Sequence, residues 1–223
     1  MNTILDTTRH KELFNPYAFK TPVTVIGAGA TGSWLVLQLA RLGITNITVY
    51  DFDTVEEHNV PNQAYGVKHV GESKVDALKN IVGWDTGTVI KSKNRYFGQR
   101  LNGYVFLMVD SMAERKRIYE EHIKMKSAIK LLIEPRMGLD VGRIYNVNPV
   151  SLRDNEMYAK TYYSDDETEV SACGASLTVV TSAMTIASWC ARQLINHEAG
   201  IELDNEILLD MKYNAIYTTK WSD

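Results

Sequence analysis

Val23-Thr-Val-Ile-Gly27-Ala28-Gly29-Ala-Thr-Gly32 begins a unit that continues through an apolar stretch to Gly43, enters Ile47-Thr-Val-Tyr50 and closes on Asp51-Phe-Asp53. The order is strand, glycine turn, helix, strand and acid. Gly27 permits the tight turn, Gly29 lets a phosphate approach the backbone, and Gly32 lets the helix pack closely on the strand. The helix N-terminus, which Ala28 and Gly29 lead into, offers free N–H groups to an anion. Asp51, at the end of the second strand, is placed to accept hydrogen bonds from a ribose. The reading is a nucleotide-binding α/β unit; a glycine turn that binds nothing is the competing reading of the same residues. The unit does not choose among NAD, a flavin and ATP, because all three are held this way.

Composition narrows the class. The chain has 223 residues, 45% of them hydrophobic, enough for one large core. With 24 basic against 27 acidic residues and a net charge of −3, no general attraction to nucleic acid or to an anionic membrane is expected. The first ten residues lack the basic start and apolar centre of a signal peptide, so a cytoplasmic location is expected. Gly174 to Ile195, the longest apolar region, carries Ser, Thr and Arg192 and reads as a buried helix rather than a membrane span. Cys173 and Cys190 are the two cysteines, with no Cys-x-x-Cys pair, so neither a structural zinc site nor a disulfide framework is expected.

Further along, Asp6, Thr7 or Thr8 precedes a short helical stretch over Arg9 to Phe14. Gly71-Glu-Ser-Lys74 opens a helix with apolar Val75, Leu78, Ile81 and Val82, and Gly83 is its expected stop. Strands are expected over Thr88 to Arg95, Tyr104 to Asp110, Ile129 to Ile133 and Val141 to Val147. A helix is expected over Ala113 to Lys126 and another over Ala175 to His197, before strands at Glu206 to Lys212 and Ala215 to Lys220. Tyr104-Val-Phe-Leu-Met-Val is the continuous apolar run that a parallel strand buried on both faces requires. Because ligands lie beyond the carboxyl ends of such strands, the glycine turn, Asp51, Asp110 and Glu134 to Arg136 are expected to converge.

These motifs resemble the ThiF/MoeB family, the adenylating superfamily that includes the ubiquitin-activating enzymes. The resemblance rests on the glycine unit, on Asp51-Phe-Asp53-Thr-Val-Glu-Glu-His-Asn59-Val-Pro-Asn62-Gln63, on Gly71-Glu-Ser-Lys74, and on Val109-Asp110 followed by a helix. Its last helix and hairpin are matched by the C-terminal segment, so the resemblance runs from about residue 9 to residue 220. It implies a single ThiF-type adenylation domain over 1–223, with an N-terminal segment at 1–20 and a flexible crossover loop at 151–172. The implied fold is α/β and Rossmann-like, a mainly parallel sheet flanked by helices with a C-terminal antiparallel extension.

The resemblance also implies ATP and Mg²⁺ as cofactors. The turn Gly27, Ala28, Gly29 and Gly32 would hold ATP, Asp51 its ribose, Lys74 its phosphates and Asp110 the Mg²⁺, with Asn59 near phosphate or backbone. Asp53 is a second metal or ribose contact or an anchor for the loop after it. Read singly, Lys74 is equally a solvated residue of a first helical turn, Asp110 a helix cap and Asn59 a turn former. Absence of Gly-x-x-x-x-Gly-Lys-Ser/Thr argues against an ordinary P-loop enzyme.

Two departures stand out. Where the family has an arginine that neutralises phosphate, this chain has Asn62, which brings no charge. Arg136 is a candidate to compensate, against a reading as a loop arginine; Arg9 is the candidate for the family arginine that crosses a dimer interface. Cys173 falls near the family's crossover-loop cysteine, where a helix N-terminus would favour its thiolate, against a packed thiol. Cys190 reads as core.

The function implied is ATP-dependent activation of the C-terminal carboxylate of a small ubiquitin-like or sulfur-carrier protein or peptide ending in glycine, by a homodimer, with release of pyrophosphate. A tRNA-bound carboxylate is disfavoured by the lack of basic excess. An NAD-dependent oxidoreductase would leave Lys74 and Asp110 unexplained, and a degenerate, non-catalytic binding module is motivated by Asn62.

Overall fold

The computed structural model describes residues 5–96, 98–164 and 178–221. In chain order the elements are β1 (Val23–Ile26), α1 (Ala30–Arg41), β2 (Ile47–Tyr50), α2 (Lys74–Thr86), β3 (Lys91–Lys93), β4 (Gly103–Leu107), α3 (Met112–Ile118), β5 (Ile129–Met137), β6 (Val141–Val147), α4 (Leu152–Ala159), α5 (Val180–Glu198), β7 (Glu206–Asp210) and β8 (Ala215–Thr219). Eight strands form one sheet in the order β3-β2-β1-β4-β5-β6-β7-β8. The first five are parallel and the last three antiparallel. This is the expected α/β architecture with its antiparallel extension.

Alternation along the strands divides the core in two. In β4, Tyr104 and Phe106 join the cluster under α1, α2 and α5, while Val105 and Leu107 join the other face. Both faces are apolar because helices cover both, which is what a buried parallel strand demands. The first cluster includes Leu35, Leu39, Leu78, Ile186 and Leu194. The second gathers Ile118, Tyr119, Ile123, Tyr145 and Tyr158. Cys190 is fully buried in the first, as its place in the apolar helix implied, and burial pushes its thiol pKa well up. No described helix is long and apolar enough to cross a membrane.

Several boundaries differ from expectation. α2 passes through Gly83 and ends at Thr86, where Gly87 takes the left-handed conformation (φ 72°) and its N–H returns to the Gly83 carbonyl at 3.0 Å. The strand expected over Thr88 to Arg95 contracts to three residues at the sheet edge. The helix expected to reach Lys126 stops at Ile118 and widens into a π turn over Tyr119–Ile123. β5 runs four residues beyond Ile133, because β6 pairs with it out to Met137. Within the loop expected at 151–172, α4 forms over Leu152–Ala159: the Ser151 hydroxyl accepts the Asp154 N–H at 3.1 Å and caps it. The remainder of that loop from residue 165, and Cys173 with it, lie outside the described residues.

Candidate functional site

The glycine turn leaves β1 and enters α1. Gly27 adopts φ +101°, and a Cβ there would stand 2.5 Å from the Met108 carbonyl oxygen. At Gly32 a Cβ would stand 2.1 Å from the Gly27 carbonyl, so the first turn of α1 lies against the loop. Gly29 differs, for nothing lies within 4 Å of the Cβ it lacks. It is the N-cap of α1, and no side chain caps that terminus. The turn therefore faces open space with uncapped helix N–H groups, the arrangement that receives phosphate.

Ala28 is clamped from both sides. Its N–H donates to Asp51 Oδ2 at 2.6 Å and its carbonyl accepts the Tyr65 hydroxyl at 2.8 Å. Asp51 Oδ1 in turn accepts the Asp53 N–H at 2.8 Å. Burial raises the Asp51 pKa above the ordinary carboxylate value, opposed by those two backbone donors and by Lys74. Asp51 is thus first a brace for the turn, with lone pairs left for a ligand. Burial also pushes the Tyr65 hydroxyl well up, keeping it a neutral donor.

A cleft of about 1920 Å³ opens over the carboxyl ends of the parallel strands. Gly27, Gly29, Asp51, Asp53, Asn59, Asn62, Lys74, Asp110 and Arg136 all line it. Lys74 is buried at the start of α2, and its Nζ donates to Asp53 Oδ2 at 2.8 Å; its own N–H donates to the Asp53 carbonyl at 2.9 Å. Asp53 is half exposed in that pair, so it holds Lys74 at the rim from the solvent side. Asn59 is buried and its Oδ1 takes the Glu56 N–H at 2.9 Å, closing the short 3₁₀ turn Glu57–Asn59. Asp110 is exposed two residues past Val109's neighbour Met108, with Oδ1 accepting the Ser111 N–H at 2.8 Å. Among the described residues no group of three or more His, Cys, Asp or Glu side chains is placed to hold a metal.

Of the two candidate arginines, Arg136 lines the cleft and Arg9 does not. Arg136 is a β5 residue rather than a loop residue. Its guanidinium donates to both oxygens of Glu134 at 3.0–3.2 Å and to Thr161 Oγ1 at 2.8 Å, and lies 4.6 Å from the Tyr145 ring centroid. Glu134 is wholly buried and also takes Arg115 and the Tyr158 hydroxyl. At position 62 the Asn62 amide contacts the Thr178 hydroxyl, and its carbonyl oxygen in the backbone accepts Trp34 Nε1 at 3.1 Å. Arg9 is exposed and does not line the cleft. Its neighbour His10 lies 3.3 Å from the Leu42 carbonyl, at the end of α1 opposite the glycine turn.

The sequence assigns no role to Tyr65 or Arg115, and Glu134, expected among the converging residues, is instead buried behind the cleft beside Arg115 and Arg136. Tyr65 lies only two positions past Gln63 in the quoted motif, but nothing in a tyrosine's spacing tells which carbonyl its hydroxyl reaches. Arg115 lies five residues past Asp110, and nothing in that spacing gives its side chain a role.

The chain is similar to known proteins in sequence over its first part and in fold over most of its length. Residues 16–84 match the model of the ThiF family. Over 61 residues the chain is 41% identical to the probable adenylyltransferase/sulfurtransferase MoeZ of Mycobacterium tuberculosis, a stretch that covers 27% of this chain and 16% of MoeZ. The adenylyltransferase and sulfurtransferase UBA4 of Yarrowia lipolytica is 39% identical over 61 residues, covering 27% of this chain and 15% of UBA4. The chain thus matches less than a fifth of the length of these curated relatives. Among solved structures, E. coli MccB with ATP superposes with a TM-score of 0.68 over 91% of this chain and 64% of MccB, at 13% identity. The family match at the level of sequence ends before Asp110; beyond it, the likeness is one of fold.

Proposed function

We propose that this chain, with its ThiF-family segment set in an MccB-like fold, is an ATP-dependent adenylyltransferase that activates the C-terminal carboxylate of a small carrier protein or peptide. One observation carries the reading: the uncapped start of α1, Lys74 and Asp110 line one cleft at the ends of the parallel strands. The relatives MoeZ and UBA4 are named adenylyltransferases, and MccB has been solved with N-formylated MccA, which supports a peptide or carrier as the acyl partner.

In this reading the α1 N-terminus and Lys74 bear the phosphates, and Asp51 adds a ribose contact to its work on Ala28. An ionised carboxylate oxygen of the partner attacks the α-phosphorus, the bond to the bridging oxygen breaks, and pyrophosphate leaves with that electron pair. No proton moves in this step. The protein's task is to align two anions and offset charge that develops on the phosphates. Asp110 suits Mg²⁺, which takes one or two carboxylates and completes its shell with phosphate oxygens and water; bound there, the ion would neutralise the leaving pyrophosphate. Lys74 is held ready by Asp53, and phosphate oxygens would share or replace that partner.

Partner-dependent ATP–pyrophosphate exchange tests the proposal. Lys74→Ala and Asp110→Ala are each expected to lower exchange at least ~100-fold, within the range seen for loss of one transition-state electrostatic contact, with an unchanged melting profile. Full exchange in either variant would remove that residue from the mechanism. Preferential binding of NADH over ATP would favour an oxidoreductase instead. Asn62 motivates a second reading, a module that binds nucleotide and partner without turnover, because its amide is engaged with Thr178 and brings no charge. Tight ATP binding with no exchange for any co-encoded small protein ending in glycine would favour it. Arg9 can serve phosphate only from the partner subunit of a homodimer, and Arg9→Ala tests that role.

A further inference from the structure

Asp110 stands beyond the point where the sheet supplies partners. The β4–β5 ladder ends at the Phe106–Ile133 pair. Past that pair, the Met108 N–H still reaches the Ile26 carbonyl at 2.7 Å on the β1 side. On the other side the donor is a side chain: Arg115 Nη1 donates to the Leu107 carbonyl at 3.3 Å, and Nη2 donates to the Val109 carbonyl. Nη1 also reaches the Pro135 carbonyl at 3.3 Å and pairs with Glu134. One guanidinium therefore ties the end of β4 to the end of β5.

Arg115 is itself fixed. It is buried in α3, whose N-cap Ser111 directly follows Asp110 and accepts the Glu114 N–H at 3.3 Å. Glu134, buried beneath it, is held in turn by the Tyr158 hydroxyl at 3.0 Å and by Arg136. A planar fork can serve several acceptors in different directions at once; a lysine ammonium on a flexible stem cannot reproduce that.

We propose that Arg115, locked by Glu134, is the positioning residue for Asp110: by holding the carbonyls on either side of Met108 it fixes the direction in which the Asp110 carboxylate meets the cleft. The inference rests on the reading of Asp110 as the carboxylate that meets the metal of a bound nucleotide. Arg115 touches neither nucleotide nor metal in this scheme and acts through the backbone.

The test uses the full chain with Mn²⁺ as the probe. Electron paramagnetic resonance follows Mn²⁺ retention in the presence of ATP, and calorimetry in chelator follows ATP alone. Arg115→Lys is expected to weaken Mn²⁺ retention at least tenfold while metal-free ATP affinity stays within twofold. The same change in an Asp110→Ala background is expected to have no further effect on retention. Should Arg115→Lys not fold, Glu134→Gln, which keeps the volume but removes the lock's charge, is expected to lower retention at least threefold, again without loss of metal-free ATP affinity. Retention within twofold of wild type in the folded variant, a parallel fall in metal-free ATP affinity, or an additive effect in the Asp110→Ala background overturns the inference. A wild-type chain that binds Mn²⁺ with ATP while the variants do the same overturns the positioning role alone. A wild-type chain that binds no Mn²⁺ with ATP overturns the adenylation reading together with it.

Discussion

Gly27 and Gly29 sit two positions apart and answer to different demands. Gly27 is at φ +101° with the Met108 carbonyl where a Cβ would be, so any side chain there strains the fold itself. Gly29 has open space in front of it, which in the adenylation reading is left for the nucleotide. Gly27→Ala is expected to cost at least ~2 kcal/mol in urea unfolding, since backbone strain and overlap combine. Gly29→Ala is expected to leave stability within ~1 kcal/mol, the usual range for a surface change, while weakening ATP about tenfold or more in calorimetry. Equal stability losses would merge two roles that the geometry keeps apart. The sequence made the glycines, Asp51, Lys74 and Asp110 legible because each sits at a fixed offset from a strand or helix end. The Tyr65 bond to Ala28 and the tie from Arg115 to Glu134 were illegible because they join residues of separate elements. Glu134 and Arg136 are nearer in the chain: alternate residues of one strand, they share a face, and at the cleft the fork closes back on its neighbour.

Among the elements, those governed by one dominant signal were read well. The βαβ unit over Val23 to Asp53 has period, caps and glycines in agreement, and β6 kept its expected ends at Val141 and Val147. Where two signals competed, boundaries moved: Gly83 lies in the interior of α2 because Gly87 supplies the left-handed terminus. α4 was hidden by the acidic composition of the stretch around it, although Ser151 and Asp154 mark its start in the manner of a cap. That helix matters to the site. Its Asn155 side chain accepts the Tyr119 hydroxyl at 2.6 Å, and its Tyr158 donates to Glu134. Ser151→Ala is expected to destabilise the chain by about 1 kcal/mol, the usual cost of losing a side-chain N-cap, as read from the midpoint of urea unfolding at constant m-value. Because α4 supports Glu134, the same variant is expected to show faster amide exchange in residues 152–159 than elsewhere.

At the scale of the whole molecule, α5 spans the sheet, with its N-terminus beside Thr178 near the cleft and its C-terminus at the start of β4. At that far end the Tyr104 hydroxyl lies 2.6 Å from both His197 Nδ1 and Glu198 Oε1, and Lys130 reaches Glu198 at 3.1 Å. Tyr104 is buried, so its single proton and its lone pairs must be satisfied by these two neighbours. Burial lowers the His197 pKa below its ordinary 6.5, with Lys130 adding to the fall and Glu198 opposing it. Below pH 6.5 the unfolded chain takes up a proton at this histidine before the folded chain does, so folding stability is fully present above 6.5 and declines as pH falls toward the folded value. One full proton would give about 1.4 kcal/mol per pH unit; the ring is partly open to solvent, so the slope is expected to be a fraction of that. Urea unfolding of the wild type between pH 7.5 and 5.0 is expected to show this loss, and His197→Gln to flatten it. ATP affinity measured over the same range is expected not to follow the histidine, since His197 does not line the cleft. A His197→Gln variant with an unchanged stability profile would place the acid sensitivity in other groups, and a matching change in ATP affinity would show that the two ends of α5 are coupled.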